Sequence, residues 1–112
     1  MPKRSNTLLH GTLDALILKA LSHGQKHGYG VARWVEASSD QVVQVEEGSL
    51  SPALSRRERR GWLEAEWGLS ELTRSAKLYS ITKNGCAQLA AETERWQVFT
   101  AAVSKVLLAA EA

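Results

Sequence analysis

The chain has 112 residues and a mass of 12.3 kDa, is 44% hydrophobic, and sets 14 Lys and Arg against 12 Asp and Glu for a net charge of +2. That length fits one domain with a modest core, and that hydrophobic content excludes a mostly disordered chain. The charge sum is too mild to announce a nucleic-acid partner, so its distribution carries the information.

The opening MPKRSNTLLHG has neither an uninterrupted apolar run nor a small-residue cleavage site, and no stretch approaches the roughly 18 apolar residues of a membrane span, so a cytoplasmic protein without a membrane partner is expected. Leu9, Leu13, Leu16, Ile17, Ala20 and Leu21 recur at helical spacing and predict helix one, with Gly24 as its stop. After HGYG, Val31, Ala32, Trp34 and Val35 mark a shorter helix two that ends near Ser38, Ser39 and Asp40, where side chains compete for backbone hydrogen bonds. QVVQVEEG is β-branched and short, and reads as a brief strand or an extended connection. Helix three follows from Ser49, a capping residue, with Leu50, Ala53 and Leu54 on its apolar face, Pro52 tolerated in its first turn and Gly61 at its end.

The period then changes. WLEAEW and AKLYSI are short and partly aromatic or β-branched, and GLSELTRS between them is a polar loop of hairpin size, which predicts two strands and an exposed loop. From about Lys83 to Ala110 a helical run carries no proline and, after Gly85, no glycine, and at 1.5 Å per residue it reaches roughly 40 Å. Leu89, Trp96 and Val103 stand seven apart, with Phe99, Val106 and Leu107 filling the seam, as in a coiled coil. Leaving that seam wet costs about 25 cal/mol per Å², so a partner helix from a second copy of the chain is expected. Residues 1–82 then form the DNA-binding region and 83–112 the dimerisation helix.

The order helix, helix, helix, hairpin, long helix describes a winged helix-turn-helix, mainly α with a small β-hairpin, whose third helix enters the major groove of double-stranded DNA. On helix three the outward face is Ser49, Ser51, Pro52, Ser55, Arg56, Arg59 and Arg60. Small residues there permit close approach, and the arginines neutralise phosphates or reach guanine edges. The plainer alternative is a solvated face paired to Glu58 and Glu64. Arg74 and Lys77 on the wing are expected to contact the DNA backbone, against the alternative of ordinary hairpin charges. Arg57 lies seven residues after Leu50, on the apolar stripe, so its guanidinium must snorkel or find a carboxylate such as Glu47. Tyr29 opens helix two, where its hydroxyl meets a phosphate or its ring closes the core near Leu13.

The remaining polar and aromatic residues point to no chemistry. His10, His23 and His27 lack the pairing of a metal site, and Cys86 has no second thiol, so no metal or cofactor is expected. Trp34, Trp62 and Trp67 read as core or strand packing. There is no nucleophile elbow, phosphate-cradling glycine loop or catalytic triad, which argues against an enzyme. The competing reading is a winged-helix protein-interaction module with weak or no DNA binding.

GTLDALILKAL, HGYGVA, VEEGSLSPAL, ERRGWLEAEWG, AKLYSIT and ETERW, in that order and spacing, resemble the short PadR-like transcriptional regulators over about Leu9 to Leu107. The resemblance implies a bacterial homodimeric repressor, with helix three and the wing on a palindromic operator and the last helix forming the dimer together with helix one. Some relatives bind planar aromatic small molecules near the dimer interface, where a tryptophan of the last helix stacks on them. Trp96 matches that position, with Phe99 beside it as a second candidate for effector binding. The chain departs from the family at Ser51, usually tyrosine, at Arg57, usually leucine, and in its wing, SELTRSAKLY.

Overall fold

Three helices close on one apolar centre: α1 (Arg4–Ser22), α2 (Gly28–Ser38) and α3 (Glu47–Arg59). A strand β1 (Lys26–His27) lies between the first two, and β2 (Leu63–Leu69), β3 (Ser75–Ile81) and the long α4 (Lys83–Leu107) follow. The computed structural model describes residues 4–69 and 75–110, with the side chains of residues 4–11, 47, 69, 75 and 76 outside that description.

The helical stripes read from the sequence become the core. Ile17, Leu18, Ala20 and Leu21 of α1 meet Val31, Ala32 and Val35 of α2 and Leu50, Ala53 and Leu54 of α3, and the sheet adds Leu63 and Tyr79. Burying a side chain such as Ile17 or Leu18 completely contributes about 1.5–3 kcal/mol. Trp34 and Trp62 pack against this cluster as expected.

Two features differ from expectation, and one open choice is resolved. The predicted hairpin is present, but the sheet has three strands in the order β1-β3-β2, because residues just ahead of α2 pair with β3 at Lys26↔Tyr79 and His27↔Leu78. Gln25 Nε2 donates to Ser80 Oγ at 3.1 Å and His27 Nδ1 donates to the Lys77 carbonyl at 3.1 Å, bracing that edge. Of the two readings left open for the stretch before α3, a strand or an extended connection, it is the extended connection; Val45 N–H donates to the buried Glu36 carboxylate at 3.1 Å. Helix α3 starts at Glu47 rather than Ser49, and the Glu46 carbonyl accepts from both Ser49 N and Leu50 N at 3.1 Å. Ser49 therefore lies within the helix, and Pro52 stands beyond the first turn.

The end of α3 follows its sequence closely. Gly61, at φ +82°, occupies the left-handed position that glycine takes without steric cost. Gly61 N donates to Glu58 O at 3.0 Å and Trp62 N to Arg57 O at 3.1 Å, the two bonds of a Schellman motif. Thr82 then ties this corner to the start of α4: its N–H donates to Trp62 O at 3.0 Å, its hydroxyl donates to Gly61 O at 2.7 Å and accepts from Gly85 N at 3.0 Å. From that junction α4 extends 25 residues, packing on α1 and β3. Among the described residues, no helix is long and apolar enough to cross a membrane.

Candidate nucleic-acid interface

The amphipathic pattern of α3 fixes what it offers to solvent. With Leu50, Ala53 and Leu54 turned inward, Ser49, Ser51, Pro52, Arg56, Arg59 and Arg60 are exposed and Ser55 is half-buried. These are the residues the sequence placed on the outward face. Arg56 and Arg59 stand in the last turn of α3, where cations also complement the helix dipole. Arg60 follows the helix, its guanidinium 5.3 Å from the Trp62 ring.

The start of α2 abuts this surface. A Cβ at Gly28 would lie 3.3 Å from Leu54 Cδ1, so glycine lets the two helices approach closely. Tyr29 beside it is 63% exposed, with the Arg33 guanidinium 5.1 Å from its ring. Of the two sequence readings for Tyr29, closing the core is thus replaced by an outward ring, and its neighbour supplies a cation.

The wing is joined to α3 by charge. The Lys77 ammonium donates to Glu58 Oε1 at 3.1 Å and lies 5.6 Å from the rings of both Trp67 and Tyr79. The hydrogen bond that Lys77 donates to Glu58 leads the causes that raise the Lys77 pKa above its ordinary value of 10.5. Lys77 is therefore a cation engaged within the protein. Arg74 lies outside the described residues. Trp67, expected as packing, is 68% exposed on β2 and carries Lys77 against its ring. In the pleat it shares a face with buried Leu63 and half-buried Ala65, so the same alternation brings the indole to the solvent end of that face.

Arg57 resolves its predicted dilemma by burial. It is 4% exposed and pairs with Asp14 of α1, not with Glu47, while the face of Trp62 lies 5.1 Å from its guanidinium. Sequence reasoning missed Asp14, although the signal was present: Asp14 lies three and four residues before Ile17 and Leu18, so it interrupts the apolar stripe of α1 as Arg57 interrupts that of α3. Glu36 was also missed. Buried on α2, it accepts from Val45 N and pairs with Arg33, and so holds the connection that leads into α3.

On α4 the predicted seam faces outward. Trp96 is 47% and Phe99 45% exposed, Val106 and Leu107 are more so, and Val103 is half-buried. Leu89 is half-buried against the protomer's own core. Ala91, Val98 and Ala102 continue the apolar surface around Phe99 as a shallow groove, wider than a coiled-coil seam. Cys86 is free and exposed.

Residues 17–91 match the family described as the transcriptional regulator PadR-like family. The chain is similar to a transcriptional regulator from Clostridium thermocellum, with a TM-score of 0.81 and 25% identity, over 88% of this chain and 96% of that one. It is similar also to a PadR-like transcriptional regulator from Bacillus cereus, with a TM-score of 0.75 and 28% identity, over 94% and 99% of the two chains. In sequence it is 26% identical over 89 residues to an uncharacterised protein of Lysinibacillus sphaericus, covering 80% of this chain and 82% of that one.

Proposed function

The chain belongs to the PadR-like family of transcriptional regulators, DNA-binding proteins without enzymatic activity, and on that footing we propose that it is a homodimeric repressor of a palindromic operator. The observation that carries this reading is the exposed face of α3, where Ser49, Ser51 and Pro52 permit close approach and Arg56, Arg59 and Arg60 supply cations. Tyr29 borders that face, and Arg74 and Lys77 belong to the wing as backbone contacts, Lys77 after exchange of its Glu58 partner for a phosphate.

In this reading residues 1–82 bind DNA and 83–112 join two copies through Trp96, Phe99, Val103, Val106 and Leu107, with Leu89 at the inner end. The dimer sets two α3 helices in successive major grooves about 34 Å apart and blocks polymerase sterically. A planar aromatic molecule stacked on Trp96 and Phe99 releases the DNA if it binds one dimer opening better than the other, since only differential affinity shifts such an equilibrium. The inward turn of Arg57 and the pairing of Lys77 favour one competitor, a protein-docking winged helix, because both remove charge from the DNA surface.

Titration against duplex DNA separates the two. Affinity should fall with salt by a slope of about 0.9 per neutralised phosphate, and Arg56→Ala or Arg59→Ala should flatten it. Binding to no duplex in a random-sequence library, with a protein partner retained instead, would favour the docking module. Tryptophan quenching by a planar aromatic such as ethidium should vanish in Trp96→Ala; quenching that persists unchanged rejects the ligand site.

A further inference from the structure

Beyond Leu54, Arg57 is the one side chain of α3 that is buried. The last turn of the recognition helix is thus held against the domain by a guanidinium, the Asp14 carboxylate on α1 and the face of Trp62. Arg57 Nε and Nη1 and Asp14 Oδ1 are buried with no hydrogen-bond partner, so Nη1 meets Asp14 Oδ2 as an ionic contact. A buried ion pair left partly unsatisfied is a weak source of stability, and apolar side chains of similar volume commonly serve as well. What it supplies instead is direction. A buried guanidinium must keep both the Asp14 carboxylate and the Trp62 face within reach, because losing either leaves its charge uncompensated, whereas an aliphatic contact tolerates several rotations of the helix.

We propose that the Arg57 and Asp14 pair is a positioning contact, which fixes the rotation of α3 about its own axis against α1 and thereby the aim of Arg56 and Arg59. Those two flank Arg57 one residue before and two after, at 100° per residue, so any roll of α3 that breaks the pair swings both cations together. The frame is well placed, because α1 packs on α2, α3 and the dimer helix α4 alike. Trp62 completes the clasp: its ring covers Arg57 while its carbonyl is held by Thr82 at the start of α4.

The consequence for DNA rests on the DNA-binding role, so the test has one arm that does not. In Asp14→Leu/Arg57→Met the thermal midpoint should hold or rise, while amide exchange at residues 54–59 quickens by about tenfold as the last turn loses its fixed register. In parallel, discrimination between a duplex selected by the wild-type protein from a random library and a mixed-sequence duplex of equal length should drop about tenfold. Wild-type exchange rates, or wild-type discrimination despite quicker exchange, overturn the proposal. If the double variant does not fold, Arg57→Lys, which keeps the charge without the planar fork, is read by the same two measurements. A wild-type protein that binds no duplex defeats the DNA-binding reading alone, and the exchange arm then decides.

Discussion

The Glu58 carboxylate accepts a hydrogen bond from the Lys77 ammonium at 3.1 Å, so α3 and the wing are joined through the only cation among the described wing residues. Both side chains remain about a third exposed, and such a pair adds little to stability. If Lys77 contacts the DNA backbone as proposed, its weight falls on binding, because a phosphate must then compete with Glu58 for it. In Glu58→Gln the competitor is gone, and the salt slope of duplex binding should steepen by up to about 0.9, with tighter binding at low salt. Fluorescence anisotropy over a series of salt concentrations measures this; an unchanged slope would mean that Lys77 does not reach the DNA.

The same pair fixes a sign in pH. Lys77 is raised above its ordinary 10.5, first by the Glu58 hydrogen bond, with desolvation opposing. Its stabilising contribution is therefore complete below the ordinary value and lost as pH climbs through the raised one. Thermal melts of the wild type and of Lys77→Met should differ by a constant amount from pH 7 to 9 and converge above about 10.5. Convergence at neutral pH would contradict the pairing.

Glu36 is the anchor of the turn between α2 and α3. Its carboxylate is buried, accepts from Val45 N and pairs with Arg33, and its carbonyl accepts from Gln41 N at 2.7 Å. Glu36→Ala leaves the Val45 donor without its partner and opens a void, at a cost of about 2–3 kcal/mol. The melting midpoint should fall by on the order of 10 °C. Glu36→Gln, which keeps an acceptor of the same shape, should recover most of that loss; equal loss in both would assign the effect to charge alone.

Two glycines separate close approach from mere flexibility. A Cβ at Gly85 would lie 2.2 Å from the Trp62 carbonyl oxygen and 2.7 Å from Ile81 Cγ1, whereas one at Gly48 would meet nothing within 4 Å. Gly85→Ala must push the start of α4 off the corner that Thr82 and Trp62 form, and should cost at least about 1–3 kcal/mol. Gly48→Ala, inside α3, should instead gain about 0.5–1 kcal/mol from helix propensity. Urea melts of the two variants should move in opposite directions.

What the sequence made legible was whatever repeats. The stripes of α1, α2 and α3, the outward arginines and the alternation in β2 and β3 all follow from periods that survive without knowledge of neighbours. Strand β1 has two residues, too few for a period, and its partner lies some 50 residues on at Leu78 and Tyr79. Ser49 has the chemistry of a cap, but a cap needs an extended backbone, and Glu46, at ψ 135°, has it. Arg57 and Asp14 each broke an apolar stripe visibly. That they broke it toward one another depends on how α1 crosses α3, which neither stripe encodes.

The proposed dimer rests on the outer half of α4. Trp96, Phe99, Val106 and Leu107 lie along one side of a helix that leaves the domain, and Val98 widens the apolar arc. So broad an exposed strip supports the proposed interface. In Phe99→Glu each copy would bring a carboxylate into that strip, and two unpaired like charges would be buried across the axis. Removing a partner from a buried charge costs about 3–5 kcal/mol, so the dimer should weaken by at least about a hundredfold in sedimentation velocity. Ala101→Glu, exposed and set well away from Phe99 around the helix, should leave it intact. DNA affinity should fall with the dimer, because two half-sites then bind separately and the effective concentration set by the joined helices is lost. A Phe99→Glu protein that remains dimeric would put the interface on another face, and one that is monomeric yet binds DNA as tightly as the wild type would detach recognition from dimerisation.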